Sequence, residues 1–201
     1  MGERETWTAE EFGRSHEGWV GVVLADGGVP GPVFFDSGSG ASGRSVSQWS
    51  VYDGRRLRGP RAAALRAVCS CGWTGAEHPL DWTLIGDRDL AEAGDGQADA
   101  CVRDWDGHIV AVEATTTPLP EAITDLLERL EEEIEKLTKT APVAAVRAAR
   151  LMEVTAVRVG YWAANGTRTD LSTEQAATAL GLNEDATRSL LARLGGWNRY
   201  A

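Results

Sequence analysis

The stretch LSTEQAATALGLNEDATRSLLARL, residues 171–194, organises the C-terminal half of this 201-residue chain. Ser172 or Thr173 is placed to cap one short helix and Asn183 to cap a second, because short polar side chains accept hydrogen bonds from first-turn amides. Gly181 stands between the two patterns and can adopt a left-handed backbone conformation without steric cost. The stretch therefore predicts two helices joined by a tight turn.

Two longer helices are predicted upstream of this turn. The first, 121–139, follows Pro120 and repeats apolar residues at alternating spacings of four and three, with glutamates on its other side. The heptad lasts about two and a half repeats, so a helical hairpin and a short dimer seam are both open. The second helix, 142–164, is predicted to stop at Asn165-Gly166.

The residues before Pro118 have the character of short strands separated by turns. Apolar or alternating runs occur at 18–24, 32–36, 45–52, 67–73 and 108–113, with one short helix allowed between residues 87 and 104. The predicted fold class is therefore α+β. A small antiparallel sheet domain, residues 1–117, precedes an all-helical domain, residues 118–201.

The C-terminal turn resembles the helix-turn-helix superfamily. Ala177 lies four residues before Gly181 and Leu182 follows the glycine, as in that superfamily, whereas Thr187 replaces the usual aliphatic residue six positions after the glycine. The resemblance implies binding of double-stranded DNA, with residues 184–193 in the major groove. Cations and polar groups on or beside that helix are the candidate DNA contacts: Arg168, Thr187, Arg188, Arg193 and Arg199.

The charge distribution limits where nucleic acid can bind. Residues 1–140 carry 13 Lys/Arg and 25 Asp/Glu, a net of −12, whereas residues 141–201 carry 7 and 5, a net of +2. Only the second segment is compatible with phosphates. The sequence therefore predicts a DNA-binding protein of transcription regulation, which could form a homodimer through helices 121–139 and 142–164. The alternative is a non-enzymatic protein–protein interaction module whose acidic N-terminal domain holds a partner.

Cysteine and histidine side chains in the N-terminal domain have the chemistry of zinc ligands. The predicted set is Cys69, Cys71, Cys101 and His108, with His78 as a substitute for any one of them. Positions i and i+2 of a strand point the same way, so both thiols of the C-x-C pair can reach one ion. They can equally pack as small buried hydrophobes, and a redox or catalytic role is a third interpretation. Structural zinc is the predicted cofactor, and an enzyme is not expected, because the residues form no defensible catalytic set.

The wider cysteine region gives some indication of the source and location of the protein. The C-x-C-G-W run at 69–73 and the W-x-x-H run at 105–108 resemble uncharacterised proteins of high-GC actinobacteria, which implies a host type and no activity. The polar N-terminus does not resemble a signal peptide, and no apolar run approaches the ~18 residues of a membrane span. We therefore expect a cytoplasmic protein without membrane contact, whose three cysteines are reduced.

Overall fold

A computed structural model describes residues 4–35, 43–55 and 59–196. The chain divides into two compact units, residues 1–113 and residues 114–201. Within the described ranges the first unit combines antiparallel strands with helices, and the second is helical. This organisation confirms the predicted α+β fold class. The division between the units precedes the predicted boundary at 117 and 118 by four residues.

The described part of the first unit contains five strands: β1 (Gly18–Val23), β2 (Val33–Phe35), β3 (Arg44–Val46), β4 (Ala64–Cys69) and β5 (His78–Pro79). The main sheet has the order β1-β4-β5 with antiparallel neighbours, so its two longest strands lie side by side, and β2 and β3 form a second antiparallel pair. The register of β1 against β4 runs from Gly18 opposite Cys69 to Val23 opposite Ala64.

A long helix covers one face of this sheet. It is α3 (Asp95–Glu113), which follows two single-turn helices, α1 (Trp82–Ile85) and α2 (Leu90–Ala93). The buried residues of α3 recur every three or four positions and so lie on one helical face; they are Ala98, Cys101, Trp105 and Ile109. This face and the buried side chains of β1 and β4 form the core of the unit.

The strand predicted for residues 108–113 is wrong, because these residues form the last turns of α3. Their β-branched composition is typical of a strand, and Asp106-Gly107 is typical of a turn before one. Burial of Trp105 and Ile109 on the face that already contains Cys101 continues the helix through Gly107, so tertiary packing overrides the local preference. The error matters because it changes where the side chain of His108 can reach.

The second unit contains four helices in its described residues. They are α4 (Glu121–Thr140), α5 (Pro142–Asp170), α6 (Thr173–Leu180) and α7 (Glu184–Gly195). Helix α5 continues to Asp170, so the predicted stop at Asn165-Gly166 is wrong; within the helix, the side-chain amide of Asn165 donates to the Tyr161 carbonyl one turn earlier. No helix in the described ranges combines the length and apolarity required to cross a membrane.

The tight turn between α6 and α7 forms as predicted. Ser172 caps α6 in a capping box with Gln175, and the Asn183 side chain accepts from the Ala186 amide to cap α7. Gly181 has φ of 64°, the left-handed conformation that a residue without Cβ adopts most easily. The Leu182 amide then donates to the Ala177 carbonyl, which completes the end of α6.

Candidate metal centre

Four side chains with metal-binding chemistry converge in the first unit. They are His16, Cys69, Cys71 and His108, and their ligand atoms all lie within 4.8 Å of one another. The four come from three separate places in the chain: the segment before β1, the end of β4 and the last turns of α3. Two thiols and two imidazoles form one of the ligand sets of structural zinc sites.

The segment that contains His16 is fixed to the sheet by backbone hydrogen bonds. Trp7 and Gly18 exchange two N–H···O bonds of 2.8 Å each, which close residues 7–18 into a loop. Residues Gly13–His16 form one turn of 3-10 helix within this loop. The imidazole of His16 is buried although its segment is irregular. The loop therefore holds the imidazole against the end of β4.

Ser70, between the two cysteines, attaches this loop to the C-x-C turn. Its amide donates to the Glu17 carbonyl at 2.8 Å, and its hydroxyl donates to the Arg14 carbonyl at 3.0 Å and accepts from the Glu17 amide at 2.9 Å. These three bonds flank His16 on both sides in sequence. They fix the distance between the histidine segment and the thiols.

The two thiols are presented by a tight turn at the end of β4. The Gly72 amide donates to the Cys69 carbonyl, and the Cys69 amide donates to the Trp73 carbonyl, both at 2.9 Å. Gly72 has φ of 94°, a backbone conformation that L side chains rarely adopt. The turn leaves Cys69 buried and Cys71 exposed. One thiol is therefore part of the core while the other faces the surface.

The imidazole of His108, on α3, packs against an aromatic side chain that fixes its orientation. The imidazole ring lies parallel to the indole of Trp73, with ring centroids 4.3 Å apart and an interplanar angle of 4°. Trp73 comes two residues after Cys71, so the turn that presents the thiols also supplies the ring that orients the imidazole.

Three of the six separations within this group are close to the edges of a tetrahedral zinc site, and all six are within 4.8 Å. Zinc–nitrogen bonds of about 2.0–2.1 Å and zinc–sulfur bonds of about 2.3 Å give tetrahedron edges of about 3.3 Å between two nitrogens and about 3.6 Å between nitrogen and sulfur. Nδ1 of His16 lies 3.3 Å from Nε2 of His108. The Cys69 sulfur lies 3.6 Å from the former nitrogen, and the Cys71 sulfur lies 3.4 Å from the latter.

Burial changes the pKa values of two of these four side chains, His108 and Cys69. Burial lowers the pKa of His108, and the neighbouring His16 lowers it further, which favours the neutral imidazole that binds metals. Burial raises the pKa of the Cys69 thiol. A cation at the centre of the group would oppose this second effect, since thiols bind metals as thiolates.

A buried hydrogen-bond donor without a conventional acceptor lies beside the group. Nε1 of Trp105 is buried and has no hydrogen-bond partner among the described residues. Burial, the largest cause, raises the pKa of Cys69, and the nearby N–H group of Trp105 opposes this effect weakly. A thiolate is a far better acceptor than a thiol, so the indole N–H is the kind of partner that zinc-bound sulfurs receive.

The predicted ligand set needs one correction. Three of its members, Cys69, Cys71 and His108, come together, but His16 takes the place predicted for Cys101. On α3, Cys101 and His108 are seven residues apart, or about 10 Å along the axis, too far to share one ion from the same helix. Burial raises the pKa of Cys101 to about 12, and this thiol is part of the core.

His78, the predicted substitute, also lies outside the group. Its Nε2 is 2.9 Å from a carboxylate oxygen of Asp104, and this pair joins β5 to α3. Nothing in the spacing of the sequence pointed to His16, which precedes Cys69 by 53 residues. The pairing of Gly18 with Cys69 is what brings the two segments together.

The predicted DNA contacts lie in or next to the C-terminal helices. Thr187 is fully buried and cannot touch a ligand, so its prediction as a DNA contact is wrong. Arg188 is exposed but forms ion pairs with Glu184 and Asp185 on the same helix. Arg168 and Arg193 are exposed, and Arg199 lies outside the described residues.

Comparison of the chain with protein-family models, with curated proteins and with solved structures gave no significant match. The resemblance of residues 171–195 to the helix-turn-helix superfamily therefore stays a prediction, as does the resemblance of the cysteine region to actinobacterial proteins.

Proposed function

We propose that the protein is a non-enzymatic zinc protein, in which one Zn²⁺ bound by His16, Cys69, Cys71 and His108 holds the first unit together. The observation that carries this proposal is the agreement between three ligand-atom separations, 3.3, 3.4 and 3.6 Å, and the edges of a tetrahedral site with two nitrogens and two sulfurs. The buried N–H of Trp105, which has no hydrogen-bond partner among the described residues, is a donor suited to a thiolate at Cys69.

The number of protein ligands favours a structural role over a catalytic one. A catalytic zinc keeps one coordination position for water or substrate, whereas four protein ligands close the site. Two of the four side chains are buried. The ion would cross-link the segment before β1, the end of β4 and α3, which are distant from one another in sequence. Its contribution is therefore to the stability of the unit.

The test is metal content combined with thermal stability. The full chain, purified without added metal or chelator, is expected to contain one zinc per chain by elemental analysis. Removal of zinc by a strong chelator is expected to lower Tm by more than ~10 °C, since loss of a tightly bound ion costs several kcal/mol. Metal-free protein that neither takes up zinc on reconstitution nor gains stability from it would overturn the proposal.

Matched variants distinguish this ligand set from the one predicted by sequence. His16→Ala is expected to lose zinc, whereas Cys101→Ala is expected to retain it, because the Cys101 thiol is outside the group. Cobalt substitution gives a second readout, because charge-transfer bands from sulfur to cobalt report thiolate ligands directly. These bands should weaken in each of Cys69→Ala and Cys71→Ala and disappear when both thiols are removed.

We propose as a second function that the C-terminal helices bind double-stranded DNA. The left-handed Gly181, the caps at Ser172 and Asn183, and burial of Thr187 support this proposal, since together they give the two-helix geometry of the superfamily. The cations available for phosphates are Arg188 and Arg193 on α7 and Arg168 at the end of α5. Binding would be restricted by Glu184 and Asp185, because both lie in the first turn of α7.

Fluorescence anisotropy with fragments of host genomic DNA, titrated with salt, tests this second proposal. Binding is expected to weaken as salt rises, because phosphate contacts release counterions. The double variant Arg188→Ala with Arg193→Ala should abolish binding, while Arg103→Ala with Arg129→Ala, which removes equal charge elsewhere, should not. Absence of binding at low salt would exclude DNA and favour the protein-interaction alternative with an acidic N-terminal unit.

A further inference from the structure

The helical unit has an unusual distribution of apolar side chains. Its buried hydrophobic residues, among those described, are four alanines and one leucine: Ala145, Ala164, Ala176, Ala177 and Leu191. Eleven large hydrophobic side chains of α4 and α5 are exposed instead, four on the first helix and seven on the second. Large apolar side chains usually fill the core of a unit of this size. The described part of the helical unit therefore lacks the surface that would cover them.

The exposed residues form a surface along the α4–α5 hairpin. On α4, Ile123, Leu127 and Leu130 are 46%, 51% and 42% exposed, and they belong to the predicted heptad stripe. On α5, Leu151 and Trp162 are exposed by 58% and 78%, and their spacing places them on the same face of the helix. No residue of α4 is buried in the described structure. Many exposed large apolar side chains on one pair of helices mark an interaction site.

We propose that a second copy of this chain covers the hairpin, so that two hairpins form an antiparallel four-helix bundle. Charge complementarity favours a second copy as the occupant. Helix α4 carries seven acidic and three basic residues, whereas α5 carries four arginines and two acidic residues. A two-fold axis that places α4 of one copy beside α5 of the other brings Glu131 and Glu133, which flank the apolar stripe of α4, toward the arginines of α5.

The size of the surface is also close to that of a stable dimer interface. Helix α4 has 20 residues. At 1.5 Å per residue it is about 30 Å long, and two helices of about 10 Å diameter give a face of roughly 600 Å². A standard interface buries about 800 Å² on each partner, an area that includes the relief of the side chains. The repeat spacing of four and three residues is that of helices packed at a shallow angle in such bundles.

The mass of the full chain in solution tests this dimer. Light scattering coupled to gel filtration is expected to give twice the chain mass of 21.5 kDa. Leu127→Asp, which places a charge in the stripe, is expected to halve the measured mass. Leu84→Asp changes an exposed leucine of α1 and should leave the mass at twice 21.5 kDa. A wild-type chain that is monomeric at all concentrations would overturn the proposal and leave a different protein as the occupant.

A mixing experiment tests the pairing of α4 with α5. One chain carries Glu131→Lys and Glu133→Lys on α4, and the other carries Arg147→Glu and Arg158→Glu on α5. Each chain alone is expected to dimerise more weakly than wild type, because like charges then face each other. An equimolar mixture is expected to recover a dimer containing one copy of each. If the mixture associates no better than either chain alone, the proposed arrangement of the helices is wrong.

Discussion

The indole of Trp73 stacks on the imidazole of His108 with ring planes inclined by only 4°. Since Trp73 belongs to the turn that presents both cysteines, the contact couples the orientation of an imidazole on α3 to that of the thiols at the end of β4. Outer contacts of this kind orient metal ligands and preserve the geometry that the ion requires. The stack therefore gives a direct test of how the site is assembled.

Trp73→Ala is expected to weaken zinc binding by about 10-fold to 100-fold, because His108 loses the ring that fixes its orientation. Trp73→Phe keeps an aromatic face and should bind nearly as well as wild type. Competition with a chromogenic zinc chelator measures both affinities. Equal affinities for Trp73→Ala and wild type would show that α3 alone orients the imidazole.

The C-terminal turn could be predicted from the sequence because its determinants are local. Gly181 sets the backbone of its own turn, and Ser172 and Asn183 cap helices that begin one residue later. The stop predicted at Asn165 is wrong, because α5 continues to Asp170 and the Asn165 side chain bonds to the Tyr161 carbonyl within the helix. Local signals therefore predict the turn and the caps of α6 and α7, but not the C-terminal end of α5.

The metal centre could be predicted only in part, because its fourth member depends on strand pairing. The types of residue at 69, 71 and 108 indicate zinc whatever the fold. The contribution of His16 requires Gly18 to pair with Cys69, a register across 51 residues that no local pattern specifies. Placing residue 108 on a strand also concealed that Cys101 lies about two helical turns away from it.

The three cysteines are expected to differ in their reactivity toward iodoacetamide. Cys71 is exposed, whereas Cys69 and Cys101 are buried and burial raises the pKa of both thiols. In metal-free, folded protein, mass spectrometry should therefore find the label first at Cys71. Zinc should protect this residue, because the metal-bound sulfur is less available. Labelling of Cys71 at the same rate with and without zinc would contradict its assignment as a ligand.

Two glycine substitutions are expected to change stability in opposite directions. A Cβ at Gly18 would lie 2.4 Å from Nε1 of Trp105, so Gly18→Ala should destabilise the unit by about 1–3 kcal/mol and displace the indole from Cys69. Gly107 lies within α3, and a Cβ there would meet no atom within 4 Å beyond its own helix backbone and chain neighbours. Gly107→Ala should therefore stabilise the protein by about 0.5–1 kcal/mol. Chemical unfolding of both variants with zinc bound measures the difference.

Cys101 is expected to lower the stability of the protein as pH rises through the alkaline range. Its pKa in the folded protein is raised from 9.0 to about 12, so the unfolded chain loses this proton first as pH rises. The contribution of the protonated Cys101 thiol to the free energy of unfolding is complete below pH 9.0 and is lost progressively between pH 9.0 and 12. Cys101→Ala should show a shallower fall in unfolding free energy over this range. Val20→Ala, a buried truncation on β1 without a titrating group, should fall as steeply as wild type.

Ser70→Ala tests whether the histidine loop is held in place before metal binds. The substitution removes the hydroxyl that donates to Arg14 and accepts from Glu17, while the backbone bond from residue 70 to Glu17 remains. Two lost hydrogen bonds are expected to cost about 1–2 kcal/mol of unfolding free energy. Zinc affinity should fall as well, because His16 must then be ordered by the ion itself.

Ser189→Ala changes an exposed serine on α7, is the matched control and should change neither quantity. A normal zinc affinity in Ser70→Ala, measured by the same chelator competition, would show that the loop needs no preorganisation.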